Sequence, residues 1–309
     1  MSVVEKAGEN VLKTSFGKKS KKKDKDKDTH DTREVSHFAA EAVPLDIDFE
    51  HLASLGFYNP QDRSSQIALE LRAVKRRLLR RIGYLRSGGD RQAFRTPGKQ
   101  RNLILVTSTR AGEGKTFTAI NLALSLALED QIETLLVDAD LTRPKVRERL
   151  ELPFEPGLAD ALISSKNKAS SLGWRVNNAP LSILPEGARA ERPTDLFATL
   201  EAQRFWTDLA MENPERLIIV DAPPVLATTD AVVLAKHMDE IVFIVEANST
   251  PEAAVAAAVD ELIDVNPNVS LMLNRCQIGA GGAHYGSYEY YDRSDETETP
   301  PARKPSNEG

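Results

Sequence analysis

Apolar residues follow two rhythms along this chain. Between Asn102 and Arg275, short and nearly continuous apolar runs recur at Leu103–Thr107, Thr134–Val137, Leu181–Leu184, Leu217–Val220, Glu240–Val245 and Val269–Leu273. Runs of this kind, without polar alternation, predict strands covered on both faces. Longer stretches between them predict helices over Lys115–Leu128, Thr194–Met211 and Pro251–Val265. Strand–helix alternation predicts an α/β fold with a doubly wound, mainly parallel sheet.

The flanks read differently. Ile67, Leu71, Val74, Leu78 and Leu79 recur at three- and four-residue spacing and share one helical face. Arg72, Lys75, Arg76, Arg77, Arg80 and Arg81 make the remainder basic. The chain thus divides into a polar, largely disordered region (1–63), a basic amphipathic helix (64–86), a linker (87–100), an α/β domain (101–277) and a flexible tyrosine-bearing tail (278–309). Lys18, Lys19, Lys21, Lys22 and Lys23 form a block in the first region, followed by alternating Lys and Asp. It reads as a solvated tail or as a tether to anionic lipid or an acidic partner.

Composition narrows the function classes. A single cysteine, Cys276, excludes a disulfide framework and an intrachain multi-Cys metal site. No apolar run approaches the length of a membrane span, and the start of the chain lacks the apolar core of a signal peptide, so a cytoplasmic protein is expected. A net charge of −6 argues against a nucleic-acid-coating role, and no nucleic-acid partner is expected.

The strongest chemical signal follows the first apolar run. Thr109-Arg110-Ala111-Gly112-Glu113-Gly114-Lys115-Thr116 joins a predicted strand to a predicted helix, the context of a P-loop. Backbone N–H groups of such a loop surround phosphate oxygens, and the helix start adds positive potential. Lys115 is placed to reach the β- and γ-phosphates of ATP, and the Thr116 hydroxyl to ligate Mg²⁺. Thr109 stands where the usual spacing has glycine, so the motif is a variant.

Acidic residues follow two other apolar runs. Asp138 and Asp140 come after Thr134–Val137, and Asp221 after Leu217–Val220. Ligands of open α/β sheets bind beyond the carboxyl ends of the strands, so these carboxylates are candidates to converge near Lys115 and Thr116. Mg²⁺ takes oxygen ligands and keeps several waters, so a few carboxylates suffice.

Together, Gly112-Glu113-Gly114-Lys115-Thr116, Asp138-Ala139-Asp140-x-x-Arg143 and Asp221-Ala222-Pro223-Pro224 resemble the Walker A, A′ and B motifs of the bacterial tyrosine kinases. That family belongs to the deviant-Walker P-loop NTPases, with the MinD and ParA ATPases. Pro156-Gly157-Leu158-Ala159-Asp160, Leu184-Pro185-Glu186-Gly187, Thr229-Asp230-Ala231 and Leu273-Asn274-Arg275 agree with it. Lys115-Thr116-Phe117 and Arg72-x-x-Lys75-Arg76 look most like the stand-alone autokinases of exosortase-linked exopolysaccharide loci. The resemblance implies ATP contacts at Gly112, Glu113, Gly114, Lys115, Thr116, Phe117 and Asn274, with Asn274 near the base. It implies Mg²⁺ contacts at Thr116, Asp138, Asp140 and Asp221. Lys115, Asp138 and Asp140 are the implied catalytic residues; Asp138 is favoured as proton acceptor without being separable from Asp140. Arg143 either faces phosphate or caps its motif. Where many members carry Glu-x-x-Arg-x-x-Arg for subunit contact, this chain has the acid shifted to Glu70, Arg72 in place, and Lys75 instead of the last Arg. The helix therefore reads either as an ordinary amphipathic helix or as an assembly surface.

Four of the six tyrosines, Tyr285, Tyr288, Tyr290 and Tyr291, fall in one short segment. It is either a local aromatic patch or, as the resemblance implies, an autophosphorylation cluster reached in trans within a homo-oligomer. The resemblance further implies a membrane polysaccharide chain-length regulator or co-polymerase as partner, holding the kinase peripherally at the inner face of the plasma membrane. The competing functions are a MinD/ParA-like ATPase switch and a nucleotide-binding scaffold without kinase activity.

Overall fold

The computed structural model describes residues 42–59, 61–84, 101–164 and 172–276. The Lys-rich N-terminal block, the linker and the tail with Tyr285, Tyr288, Tyr290 and Tyr291 lie outside these residues.

Eight strands form one sheet: β1 (Val43–Leu45), β2 (Leu103–Ser108), β3 (Thr134–Asp138), β4 (Trp174–Val176), β5 (Leu181–Leu184), β6 (Leu217–Asp221), β7 (Glu240–Glu246) and β8 (Val269–Asn274). Their order is β1-β4-β5-β3-β6-β2-β7-β8. Neighbours run parallel except β4 and β5, which are antiparallel. The helices are α1 (Phe49–Ser54), α2 (Gln66–Arg81), α3 (Lys115–Asp130), α4 (Val146–Arg149), α5 (Leu158–Ile163), α6 (Pro193–Phe197), α7 (Leu200–Glu212), α8 (Asp230–Ala235) and α9 (Glu252–Ile263).

The continuous apolar runs have the expected cause. Leu103 and Leu105 of β2 join the core under α5 and α7–α9, whereas Ile104 and Val106 join the core under α2 and α3. Alternate residues of β3 and β6 divide in the same way. With both faces covered, the middle positions of β2, β3 and β6 are apolar on both sides. The strands end together at the site: Asp138 pairs with Asp221 across β3 and β6, and Val106 with Asp221 across β2 and β6.

Three differences from the sequence reading have physical reasons. The region expected to be disordered through residue 63 is ordered from Ala42. Here Asp48 caps α1 by accepting from the His51 N–H at 2.9 Å, and Leu52, Phe57 and Tyr58 are buried. These short elements depend on distant partners, β1 pairing with β4 and the Tyr58 N–H donating to Asn121 Oδ1 of α3 at 2.6 Å. Second, the single helix expected over Thr194–Met211 is two. Thr199 adopts extended backbone and its hydroxyl accepts from the Ala202 N–H at 3.1 Å, so it starts α7 as an N-cap. Third, Lys75 is not on the exposed basic face of α2. It is 2% exposed, and its Nζ donates to Ser125 O of α3 at 3.3 Å. Arg76, Arg77 and Arg80 remain exposed.

Candidate active site

The loop after β2 is built by small residues and braced by polar ones. Gly112 and Gly114 have φ of +93° and +97°, the left-handed region that glycine enters without strain. The Glu113 carboxylate folds back: Oε2 accepts from the Arg110 N–H at 2.8 Å, and Oε1 accepts from the Thr250 hydroxyl at 2.5 Å. Asn274, at the end of β8, donates from Nδ2 to the Glu113 carbonyl at 2.8 Å. A Cβ on Gly114 would stand 2.0 Å from that Nδ2. Asn274 thus clamps the loop from β8, two strands away from β2, and Glu113 contributes its side chain to the loop's shape. Thr109, in the place of the usual glycine, is fully buried, and its Oγ1 has no partner among the described residues.

At the start of α3 the first N–H groups lack intrahelical acceptors, as in any helix. Lys115 Nζ lies 2.9 Å from Asp140 Oδ2 and 3.7 Å from Asp221 Oδ1. The Thr116 hydroxyl donates to Asp221 Oδ2 at 2.6 Å. Phe117, 39% exposed, packs its ring on Phe57 with centroids 5.2 Å apart. That contact ties the phosphate-loop helix to the ordered segment before α2.

The acids differ in how they are held. Asp138 is fully buried. Its Oδ1 accepts from the Asp140 N–H at 3.1 Å, and its Oδ2 from the N–H groups of Lys145 and Val146 at 3.0 and 2.9 Å. Asp140 Oδ1 accepts from the Arg143 N–H at 3.0 Å, and Oδ2 takes Lys115. Arg143 therefore closes the A′ turn with its backbone, and its side chain is exposed. Burial pushes the Asp138 carboxyl well above the usual range; the neighbouring Asp221 charge adds to this, while the Val146 N–H and Lys115 oppose it. Burial likewise raises Asp221 to about 6 against the pull of Lys115 and Thr116. Burial alone would lower Lys115, but Asp221, Asp140 and Asp138 together hold it above the ordinary lysine value.

Asp221 Oδ1 is buried with no hydrogen-bond partner among the described residues. An orphaned anionic oxygen beside the Thr116 hydroxyl suits a hard divalent cation that completes its shell with water and phosphate oxygens. Among the described residues, no group of three His, Cys, Asp or Glu side chains is placed to hold a metal ion by itself.

The structure thus brings Lys115, Thr116, Asp138, Asp140 and Asp221 together, with Gly112, Glu113, Gly114 and Asn274 shaping the loop beside them. One contributor lacked an assigned role in the sequence reading. Glu186 is buried near Asp138, adds to that carboxyl's raised proton affinity, and pairs through Oε1 with Arg147 Nε at 2.9 Å. It is positioned by an interlock: Asp160 Oδ2 accepts from the N–H groups of Gly157 and Ala188, both at 2.9 Å. The paired Pro-Gly-Leu-Ala-Asp and Leu-Pro-Glu-Gly segments were the signal for it.

A phosphate loop at the end of an interior strand of a mainly parallel sheet, facing acids on two adjacent strand ends, defines a P-loop NTPase fold. No known family model matches the chain. Tyrosine-protein kinase YwqD of Bacillus subtilis is 30% identical over 207 residues, which cover 65% of this chain and 82% of YwqD. Tyrosine-protein kinase CpsD of Streptococcus agalactiae is 30% identical over 203 residues, 64% of this chain and 85% of CpsD. The solved kinase domain of VpsO superposes with a TM-score of 0.53 at 26% identity, covering 69% of this chain and all of that one. The chain belongs to the bacterial tyrosine-protein kinase family. Among the described residues, no helix is long and apolar enough to cross a membrane.

Proposed function

We propose that this chain is an ATP- and Mg²⁺-dependent protein-tyrosine autokinase that phosphorylates Tyr285, Tyr288, Tyr290 and Tyr291 of another copy. The observation that carries the reading is the cluster of Lys115, Thr116, Asp140 and Asp221 within ion-pair and hydrogen-bond distance, with one Asp221 oxygen left unsatisfied. Family membership supports the same reaction class.

Phosphoryl transfer asks for positioning and charge neutralisation more than covalent chemistry. Lys115, now paired with Asp140, would turn to phosphate oxygens of a bound nucleotide. Thr116 and Asp221 would hold the metal, which would supply charge neutralisation for the phosphoryl group. The loop N–H groups, fixed by Glu113 and Asn274, orient the triphosphate. Asp138 or Asp140, both on the A′ turn beside Lys115, is the acceptor of the tyrosine hydroxyl proton in this reading, with Asp138 favoured by the resemblance. Regulation of exopolysaccharide polymerisation or export through a membrane co-polymerase belongs to this proposal, on the strength of the resemblance.

The test mixes two full-length variants. One carries Tyr→Phe at positions 285, 288, 290 and 291; the other carries Lys115→Ala. With ATP·Mg²⁺, phosphotyrosine on the Lys115→Ala chain is the expected result. A mixture that hydrolyses ATP and leaves that chain unmodified would overturn the reading and favour an ATPase switch.

A further inference from the structure

A groove of about 530 Å³ opens immediately after the A′ acids, lined by Leu141, Thr142, Arg189, Ala190, Glu191 and Pro193. Its volume falls in the range of ligand-binding clefts. Leu141 and Thr142 continue the turn that carries Asp138 and Asp140. Arg189 follows Ala188, whose N–H is held by Asp160. The wall of the groove is therefore fixed to the acidic site by the same interlock that places Glu186. Leu141, Ala190 and Pro193 supply an apolar floor. Arg189 is exposed and has no ion-pair or hydrogen-bond partner among the described residues, whereas the adjacent Arg192 is within 3.7 Å of Asp195.

The chain carries a segment that matches this lining. Tyr288-Glu289-Tyr290-Tyr291-Asp292 alternates aromatic rings with acids, and Asp295, Glu296 and Glu298 follow. The described residues end at Cys276, just past β8, and β8 lies four strand positions from β3. Four spacings of about 4.8 Å put that end roughly 19 Å from the A′ strand. The residues between Cys276 and Tyr288 span up to about 40 Å when extended, so the segment is long enough to reach beyond its own sheet.

We infer that this groove is the acceptor-peptide site and that Arg189 selects tyrosines flanked by acid, Glu289 and Asp292 being its partners on the tail of a second copy. The inference rests on the autokinase reading and adds its sequence preference. An aromatic neighbour of the reacting tyrosine lies on the apolar floor while the flanking carboxylate meets the guanidinium. Glu191, the acid on the same lining, opposes that carboxylate and limits how tightly the tail is held.

The test measures steady-state phosphorylation of a synthetic peptide of residues 283–298 by full-length enzyme whose four tail tyrosines are Phe. An exposed Arg–carboxylate pair is worth a factor of about 1.5 to 5, so Arg189→Ala is expected to raise the peptide KM by that much, with a smaller change in kcat. Arg189→Glu is expected to raise KM further, and Glu191→Gln to lower it. A peptide carrying Glu289→Lys or Asp292→Lys is expected to regain KM with the Arg189→Glu enzyme. KM unchanged in Arg189→Ala, or no regain with either reversed peptide, overturns the assignment. If parent enzyme leaves the parent peptide unmodified, the autokinase reading itself fails, a result distinct from an altered preference.

Discussion

Asp221 is held at a cost to the nucleotide-free fold, and that cost is measurable. Its carboxyl is pushed from the ordinary 3.8 to about 6, chiefly by burial. Each tenfold change in proton affinity is worth about 1.4 kcal/mol, so holding Asp221 ionised in the folded chain costs about 3 kcal/mol. Between these pH values the folded chain keeps the proton and the unfolded chain has lost it. Stability therefore falls as pH rises across that window and stays lower above it. Asp221→Asn removes the ionisation while keeping an oxygen for the Thr116 hydroxyl. In EDTA at pH 8 the variant is expected to be more stable by about 3 kcal/mol, roughly 6–12 °C in Tm for a chain of this size. The difference should vanish below about pH 3, where the carboxyl is protonated in both states. Saturation with Mg²⁺ and a non-hydrolysable ATP analogue at a hundredfold over Kd should stabilise the parent by about 2.7 kcal/mol and the variant by far less. Thermal melts across pH, with and without ligand, read all three effects. An apo variant no more stable than the parent at pH 8 would refute the reasoning.

Other substitutions test the supports of the site. Gly114→Ala combines a positive φ with a Cβ 2.0 Å from Asn274 Nδ2, and should cost about 1–3 kcal/mol by chemical denaturation and weaken nucleotide binding in parallel. Asp160→Ala removes the acceptor of two backbone N–H groups; a loss of about 1–3 kcal/mol is expected, and hydrogen exchange should rise first in residues 185–189. A double-mutant cycle of Phe57→Ala and Phe117→Ala should show a coupling of about 0.5–1.5 kcal/mol, and additivity would dissolve the tie between the N-terminal segment and α3.

The central strands were legible because burial on both faces makes their middle positions continuously apolar, a pattern that local sequence carries without help. All six expected strands are present within a residue or so of their anticipated ends. The phosphate loop was legible because strand, glycine loop and helix occur in order, and the acids because they follow apolar runs. What stayed hidden depends on distant partners. The Val43–Leu45 strand is three residues long and exists through β4, and β4 itself reverses direction against β5. Lys75 reads as one more surface cation until α3 offers its amine a carbonyl. Asn274 is expected near the base from its motif; its amide also grips the Glu113 carbonyl, a contact across 161 positions of sequence that no local pattern encodes.

The most direct test of the account is phosphosite mapping of the full-length protein after incubation with ATP·Mg²⁺, by mass spectrometry, alongside Lys115→Ala treated identically. The account predicts phosphate on Tyr285, Tyr288, Tyr290 and Tyr291 in the parent and none in the variant. Hydrolysis of ATP by the parent with all four tyrosines unmodified would contradict it.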